Sequence, residues 1–291
     1  MDLAAVVPWI KTMTHRGLMV GITLVAALAA GLGAGYIIWG WPTNWYARDV
    51  TNLPPSPIND VILKGHALIV DTATHIGKSA ANPQNRYAGN DLACVNCHLD
   101  AGLRPFGAPF VSTYASFPMM VDDAVITLKE RINGCMIRSM NGKELPEDGP
   151  EMQAIIAYIK FLGQGTPEGV RVAGMGLFPI ADPPLAADAT RGQKVHADLC
   201  ARCHKDDGQG EPNKSPRLGY LIPPLWGDDS FNAAAGMAKL AHAAAYVRTN
   251  MPFGVRYQDP VLTVQQAWDV AAYMISKPRP PAPPGASARL Q

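Results

Sequence analysis

Apolar positions follow two distinct patterns along this chain, and each predicts a different kind of element. From Leu18 to Trp39 they form one run, broken only by Thr23 and several glycines. About 22 helical residues span roughly 33 Å, enough for the hydrocarbon core of a bilayer. Lys11 and Arg16 precede the run, and Trp39, Trp41, Trp45 and Tyr46 close it. Basic residues stay on the cytoplasmic side and aromatics settle at the interface, so residues 18–40 read as a single-pass anchor in the inner membrane. The rival reading is a cleaved signal peptide, whose apolar stretch is usually about 7–15 residues. Ala27-Leu28-Ala29 imitates a cleavage site but sits inside the run. Both readings put the remaining chain in the periplasm.

Beyond a proline-stiffened linker, residues 41–57, helical periodicity replaces the continuous run, and it occurs in two passes. In the first, over 58–165, a helix near Asp60–Thr74 leads through loops to a helix over Ala124–Ile132. A last amphipathic helix covers Glu151–Leu162 and carries Ala157-Tyr158-Ile159. In the second, over 185–277, a helix near Ala189–Leu199 is followed by a Gly- and Pro-rich loop and a helix around Met237–Thr249. A final helix over Val261–Ser276 carries Ala272-Tyr273-Met274. Residues 166–184 read as the linker between the two passes. The Pro-rich tail 278–291 lacks apolar periodicity and reads as disordered.

The cysteines turn this repeat into chemistry. Four of the five form Cys94-Val95-Asn96-Cys97-His98 and Cys200-Ala201-Arg202-Cys203-His204, one unit per pass. In C-x-x-C-H, two thiols add across the vinyl groups of haem and the adjacent imidazole reaches the iron. Zinc ribbons also use C-x-x-C pairs, but a four-cysteine zinc site needs no histidine after each. Two covalent haem c groups are therefore expected, attached through Cys94, Cys97, Cys200 and Cys203, with His98 and His204 as proximal iron ligands. Helix, haem motif, loop, ligand loop and final helix resemble the small mono-haem cytochrome c fold. The expected architecture is mainly α: two class I cytochrome c-like domains in tandem behind one transmembrane helix. In that fold the first and last helices cross, and Gly65 and Gly192 would permit the close approach.

Composition adds little beyond this. The 291 residues are 48% apolar with a formal charge of +1, which gives no pointer to nucleic acid.

The sixth ligands must come from elsewhere. For the second haem Met237, Met251 and Met274 compete. Met251 is preferred because it lies outside the helical patterns and precedes Pro252; a thioether raises the potential and suits an electron exit. For the first haem the equivalent loop, Asn133-Gly134-Cys135-Met136-Ile137, offers two sulfurs. Cys135 is preferred over Met136 because it is the unpaired cysteine, stands where the second half puts its ligand, and follows a glycine. Arg131 and Arg138 bracket it, and cations stabilise a thiolate and hold anions. Ser139 can add a hydrogen bond. Lys129, Glu130 and Lys143 read as a solvated face, and Arg104 as a propionate or backbone clamp. His66 and His75 remain minor candidates for iron; His15, His196 and His242 read as surface or structural.

These stretches are similar to the thiosulfate dehydrogenase family, above all Arg131 through Gly142, with support from Leu99-Asp100-Ala101-Gly102, Pro223-Pro224-Leu225-Trp226-Gly227 and Asn250-Met251-Pro252. The resemblance implies a catalytic first haem ligated by His98 and Cys135, with Cys135 holding a thiosulfate-derived sulfur transiently. Arg131 and Ser139 would bind the anion. A second haem with His204 and Met251 would pass electrons to a soluble cytochrome or terminal oxidase. The implied reaction is 2 S₂O₃²⁻ → S₄O₆²⁻ + 2 e⁻, or its reverse. Two positions depart from the family: Phe117 to Asp123 is apolar and acidic where a basic residue is expected, and Asn250 replaces a lysine before the ligand methionine. Two other functions fit the same motifs, a non-catalytic membrane-anchored di-haem carrier and a cytochrome subunit of a larger respiratory complex.

Overall fold

The computed structural model describes residues 48, 50–121, 123–215 and 219–284. The expected anchor, 18–40, lies outside them, and among the described residues no helix is long and apolar enough to cross a membrane. The longer helices are α1 (Pro57–Val70), α2 (Leu128–Arg138), α3 (Pro150–Leu162), α4 (Ala189–Leu199), α5 (Leu240–Asn250) and α6 (Val264–Ile275). Two small antiparallel hairpins pair Met119–Val121 with Ala124–Ile126 and Glu211–Pro212 with Tyr220–Ile222.

The two halves are built on the same crossing. In the first, α1 packs on α3, and a Cβ on Gly65 would lie 2.0 Å from Ala154 O and 2.8 Å from Tyr158 Cβ. In the second, α4 packs on α6, and a Cβ on Gly192 would lie 1.9 Å from Asp269 O and 2.9 Å from Tyr273 Cβ. A glycine thus faces a residue and the tyrosine four positions later, one turn along the opposing helix, in both halves. Backbone-to-backbone contact of this kind excludes any side chain. Leu68, Ile69, Met152, Ile155 and Ile159 fill the first core around the crossing, and Trp226, Phe231, Ala243, Ala244 and Met274 fill the second.

Three expectations need correction. The helix anticipated over Ala124–Ile132 starts later and runs further. Thr127 and Glu130 form a reciprocal capping box that fixes the start of α2, while Ala124–Ile126 pairs as a strand. Cys135 therefore sits on the last turn of a helix and not in a loop. The tail is also ordered as far as it is described, through 284. Pro278 O and Pro280 O accept the N–H groups of Gly227 and Ala233, Lys277 lies 4.1 Å from the Tyr273 ring centroid, and Arg279 lies 4.4 Å from that of Phe231. Proline keeps its carbonyl acceptors and the cations find aromatic faces, so the tail can be held without apolar periodicity. The 166–184 segment is not a bare linker: Gly174 O accepts from Phe106 N, and Phe178 meets Phe106 and Tyr257 edge-on or tilted.

Candidate functional site

The first C-x-x-C-H motif folds as a tight turn at Cys94–Asn96, after a loop that leads from the first helices. Cys94 N–H donates to Thr72 Oγ1 at 2.9 Å, and His98 N–H donates to Cys94 O at 2.9 Å. The His98 Nδ1 donates to Ala108 O, and Phe110 stacks on the imidazole with centroids 4.4 Å apart. With Nδ1 committed to a carbonyl, Nε2 is the nitrogen left to bind a metal. Ala108 holds φ at 52°, a strained conformation for a residue with a side chain, and its carbonyl is the one that orients His98.

Cys135 faces this imidazole. Burial pushes its thiol pKa up, but the hydrogen bond with His98 and the charges of Arg131 and Arg138 outweigh that and bring it down to about 7. Burial dominates at the other two thiols, raising Cys94 to about 11 and Cys97 to about 12. One sulfur of the three is therefore poised as a thiolate near neutral pH, which is the form that binds metals and attacks electrophiles. Met136, its rival, is 2% exposed and packs in the first core.

The second motif follows α4 without a break. His204 Nδ1 donates to Pro223 O at 3.0 Å, repeating the arrangement of the first half. Burial lowers the His204 pKa against the effect of that bond, favouring the neutral imidazole that ligates iron. Met251 closes α5, its N–H donating to Val247 O at 2.9 Å. It is half-buried, whereas Met274 lies in the second core and Met237 packs against it.

The residues fit haem c. Each half presents two thiols and an imidazole with Nδ1 satisfied, and in the first a further sulfur faces the ring. Four nitrogens, Arg104 Nη1, Arg248 Nε, Arg279 Nη1 and His196 Nε2, are buried without a hydrogen-bond partner among the described residues. Nature rarely leaves such groups orphaned, and the propionates of two haems are suitable partners for them. Among the described residues no three His, Cys, Asp or Glu side chains are grouped to hold a bare metal ion.

Comparisons with known proteins agree with this chemistry. A family model described as SoxA/TsdA, cytochrome c domain, matches residues 84–167, and one described as Cytochrome c matches 189–277. A thiosulfate dehydrogenase from Stutzerimonas stutzeri is 35% identical over 256 residues, which cover 87% of this chain and 77% of that protein. The chain belongs to the thiosulfate dehydrogenase family. A thiosulfate dehydrogenase of Thiomonas intermedia is 36% identical over 233 residues, covering 79% of this chain and 70% of that one. Among solved structures, the thiosulfate dehydrogenase TsdBA from Marichromatium purpuratum superposes with a TM-score of 0.73 at 33% identity over 81% of this chain. This chain spans half the length of that one. As a member of the family, it is a di-haem cytochrome with two c-type domains in tandem.

Within this thiosulfate dehydrogenase homologue the predicted site residues take distinct places. Arg131 is exposed on α2, Arg138 is buried one turn beyond Cys135, and Ser139 caps the helix half-buried. Lys129 pairs with Glu147 and Asp148, Glu130 caps its own helix, and Lys143 lies over the Tyr87 ring, so these three serve structure. Arg104 pairs with Asp100 and covers the Phe253 ring. His66 packs edge-on against Tyr158, His196 is buried between Trp226 and Tyr273, and His75 and His242 are exposed. Within the atypical Phe117–Asp123 stretch, Met119–Val121 forms one arm of the first hairpin. Asn250 is buried and donates to Phe106 O and Tyr246 O, so it clasps the loop that orients His98.

Sequence reasoning missed the seam between the halves. Tyr246 of α5 donates to Asn96 O inside the first haem motif at 3.3 Å. Asn90 and Asn232, both fully buried, bond across the end of α2. Long-range partners of this sort leave no local periodicity to read.

Proposed function

We propose that this chain oxidises thiosulfate to tetrathionate at the first haem site and passes the electrons through the second to a respiratory acceptor. The observation that carries the proposal is the Cys135 thiol facing His98 between two arginines, its pKa brought down to about 7, in a chain of this family. A pure carrier needs neither a thiolate nor an anion site.

In this reading His98 and Cys135 would hold the iron of the first haem, and His204 and Met251 that of the second. Haem c supplies a one-electron acceptor at each site, and two such sites match the two electrons released when two S₂O₃²⁻ join as S₄O₆²⁻. The protein's own task is electrostatic. Two dianions repel each other, so joining their outer sulfurs requires fixed positive charge around them. Arg131 and Arg138 offer planar donors for sulfonate oxygens, and the Ser139 hydroxyl adds a hydrogen bond. A thiolate at the first site would lower its potential and a thioether at the second would raise it, a difference that would favour electron transfer from the Cys135 site towards the Met251 site.

The proposal includes an uncleaved anchor at 18–40, supported by the length of the apolar run and its aromatic rim, with both haem domains in the periplasm. The electron partner would be a soluble cytochrome or a terminal oxidase. Domain limits of 58–165 and 185–277 are part of the same reading.

The test is turnover of the intact holoprotein with thiosulfate and ferricyanide. Two ferricyanides reduced per tetrathionate formed is the expected result. Reduction of the haems by other donors with no tetrathionate from thiosulfate would leave the carrier reading instead.

A further inference from the structure

The last turn of α2 carries Cys135, and its backbone is completed from two sources. An α-helix ends with four carbonyls that lack intrahelical partners. The local chain supplies two of them. Cys135 O accepts from Ser139 N at 2.8 Å and Met140 N at 3.0 Å, and Met136 O accepts from Gly142 N at 2.9 Å. The other two are met from the opposite half of the molecule by one residue. Asn232 Nδ2 donates to Ile137 O at 2.9 Å, and Asn232 N–H donates to Arg138 O at 3.1 Å. The same Nδ2 reaches Asn141 Oδ1 at 3.2 Å, while Asn232 Oδ1 accepts from Ala234 N at 3.0 Å. Asn232 is 0% exposed, so both side-chain ends are used in a buried seam.

Asn90 grips this seam from the first half. Its Nδ2 donates to Ser139 O at 3.0 Å and to Ser230 O at 3.2 Å, and Gly89 N–H donates to Met140 O at 2.8 Å. Consecutive carbonyls from 135 to 140 are thereby all occupied, and those at 137 and 138 through Asn232. Helix ends fray when such groups are unmet, and Cys135 lies only three residues from the last helical position.

We infer that Asn232 is a positioning residue for Cys135. By tying off the C-terminal carbonyls of α2, the second domain holds the ligand sulfur at the distance and angle the first haem requires. The inference rests on the reading of Cys135 as an iron ligand. It makes the reaction site a property of both domains together, because the domain that carries electrons away also completes the helix that presents the thiolate.

The experiment compares full-length holoprotein with Asn232→Leu, close in size but without polar side-chain atoms, and Asn232→Ser, which is smaller but keeps a hydroxyl donor; both retain the backbone N–H bond to Arg138 O and lose the Nδ2 bond to Ile137 O. Low-temperature EPR of the oxidised protein reports the two ligand fields separately, with Cys135→Gly as the reference for loss of the thiolate. Asn232→Leu should disperse or shift the first-haem signal, move its potential, and lower thiosulfate kcat by about tenfold or more, as loss of a group that orients a ligand does. The second-haem signal should be unchanged, and Asn232→Ser should fall between wild type and Asn232→Leu. If Asn232→Leu does not accumulate, the Asn232→Ser spectrum decides. Variants that melt earlier yet keep the first-haem signal, potential and kcat would overturn the inference, as would equal damage at both haems. If Cys135→Gly itself leaves the first-haem signal intact, the ligand reading fails and the inference falls with it. If Cys135→Gly changes that signal and the Asn232 variants do not, the inference alone fails.

Discussion

Replacing Gly192 with alanine should destabilise the second haem domain, and the structure supplies the magnitude. The added Cβ would meet Asp269 O at 1.9 Å, Asp269 C at 2.5 Å and Tyr273 Cβ at 2.9 Å. Carbon contacts settle near 3.5 Å, so α4 must retreat from α6 by roughly 1.5 Å. The obstacle is backbone and cannot swing aside. Over-packing of this kind costs about 3 kcal/mol, and alanine recovers about 1 kcal/mol through its helix propensity. The net loss is about 2 kcal/mol, before any weakening of the adjacent Arg191 pair to Asp269, whose Nε–Oδ2 distance is 2.8 Å. For a domain of this size that lowers the melting temperature by roughly 10 °C. The assay is calorimetry on the oxidised holoprotein, in which covalent attachment keeps haem bound through the transition. A Gly192→Ala variant that melts within a degree of wild type, or above it, would refute the crossing as described. Gly65→Ala tests the same geometry in the first half against Ala154 O.

Other outcomes follow from single residues. The Asp269 carboxyl is raised by burial, but hydrogen bonds from Arg191, Asp188 N–H and Gln265 outweigh that and hold it below the usual range. Its stabilising contribution is thus complete above the unfolded value of about 3.9 and is lost as pH falls through the folded value. Asp269→Asn should lower the second-domain melting temperature at pH 7 and narrow its difference from wild type in acid; a difference independent of pH would contradict this. Arg131→Ala should raise KM for thiosulfate by about tenfold, the worth of one charge-assisted contact, with haem spectra unaltered. An unchanged KM in steady-state assays would exclude Arg131 from the anion site. Met251→His should lower the potential of the second haem in a redox titration while leaving the first in place; an unmoved second potential would return Met237 or Met274 to consideration.

What the sequence made legible follows from how local each constraint is. The haem motifs were readable because covalent attachment dictates residue type and spacing within five positions. Gly65 and Gly192 were readable because the cytochrome c-like order of elements implies that the first and last helices cross, and a glycine lies on the first helix of each pass. The start of α2 was also available locally, in Thr127 and Glu130, but the apolar Ala124–Ile126 segment drew the expected helix four residues too early. With α2 shifted, Cys135 moved from a loop onto the last helical turn, where Arg138 is buried and Arg131 exposed. Asn232 could not have been found this way. Its partners lie about 90 residues away and on another domain, and an asparagine between Phe231 and Ala233 looks like any loop residue. The tail misled for a related reason: its Arg279 and the carbonyls of Pro278 and Pro280 are held by the domain it leaves, not by a periodicity of its own.

The most direct test of the account is Cys135→Gly, assayed in holoprotein whose two haems are both shown to be attached. Thiosulfate turnover should fall by orders of magnitude, while the second haem keeps its spectrum and still exchanges electrons with ferricyanide. Wild-type rates of tetrathionate formation in that variant would contradict the assignment of the reaction to Cys135.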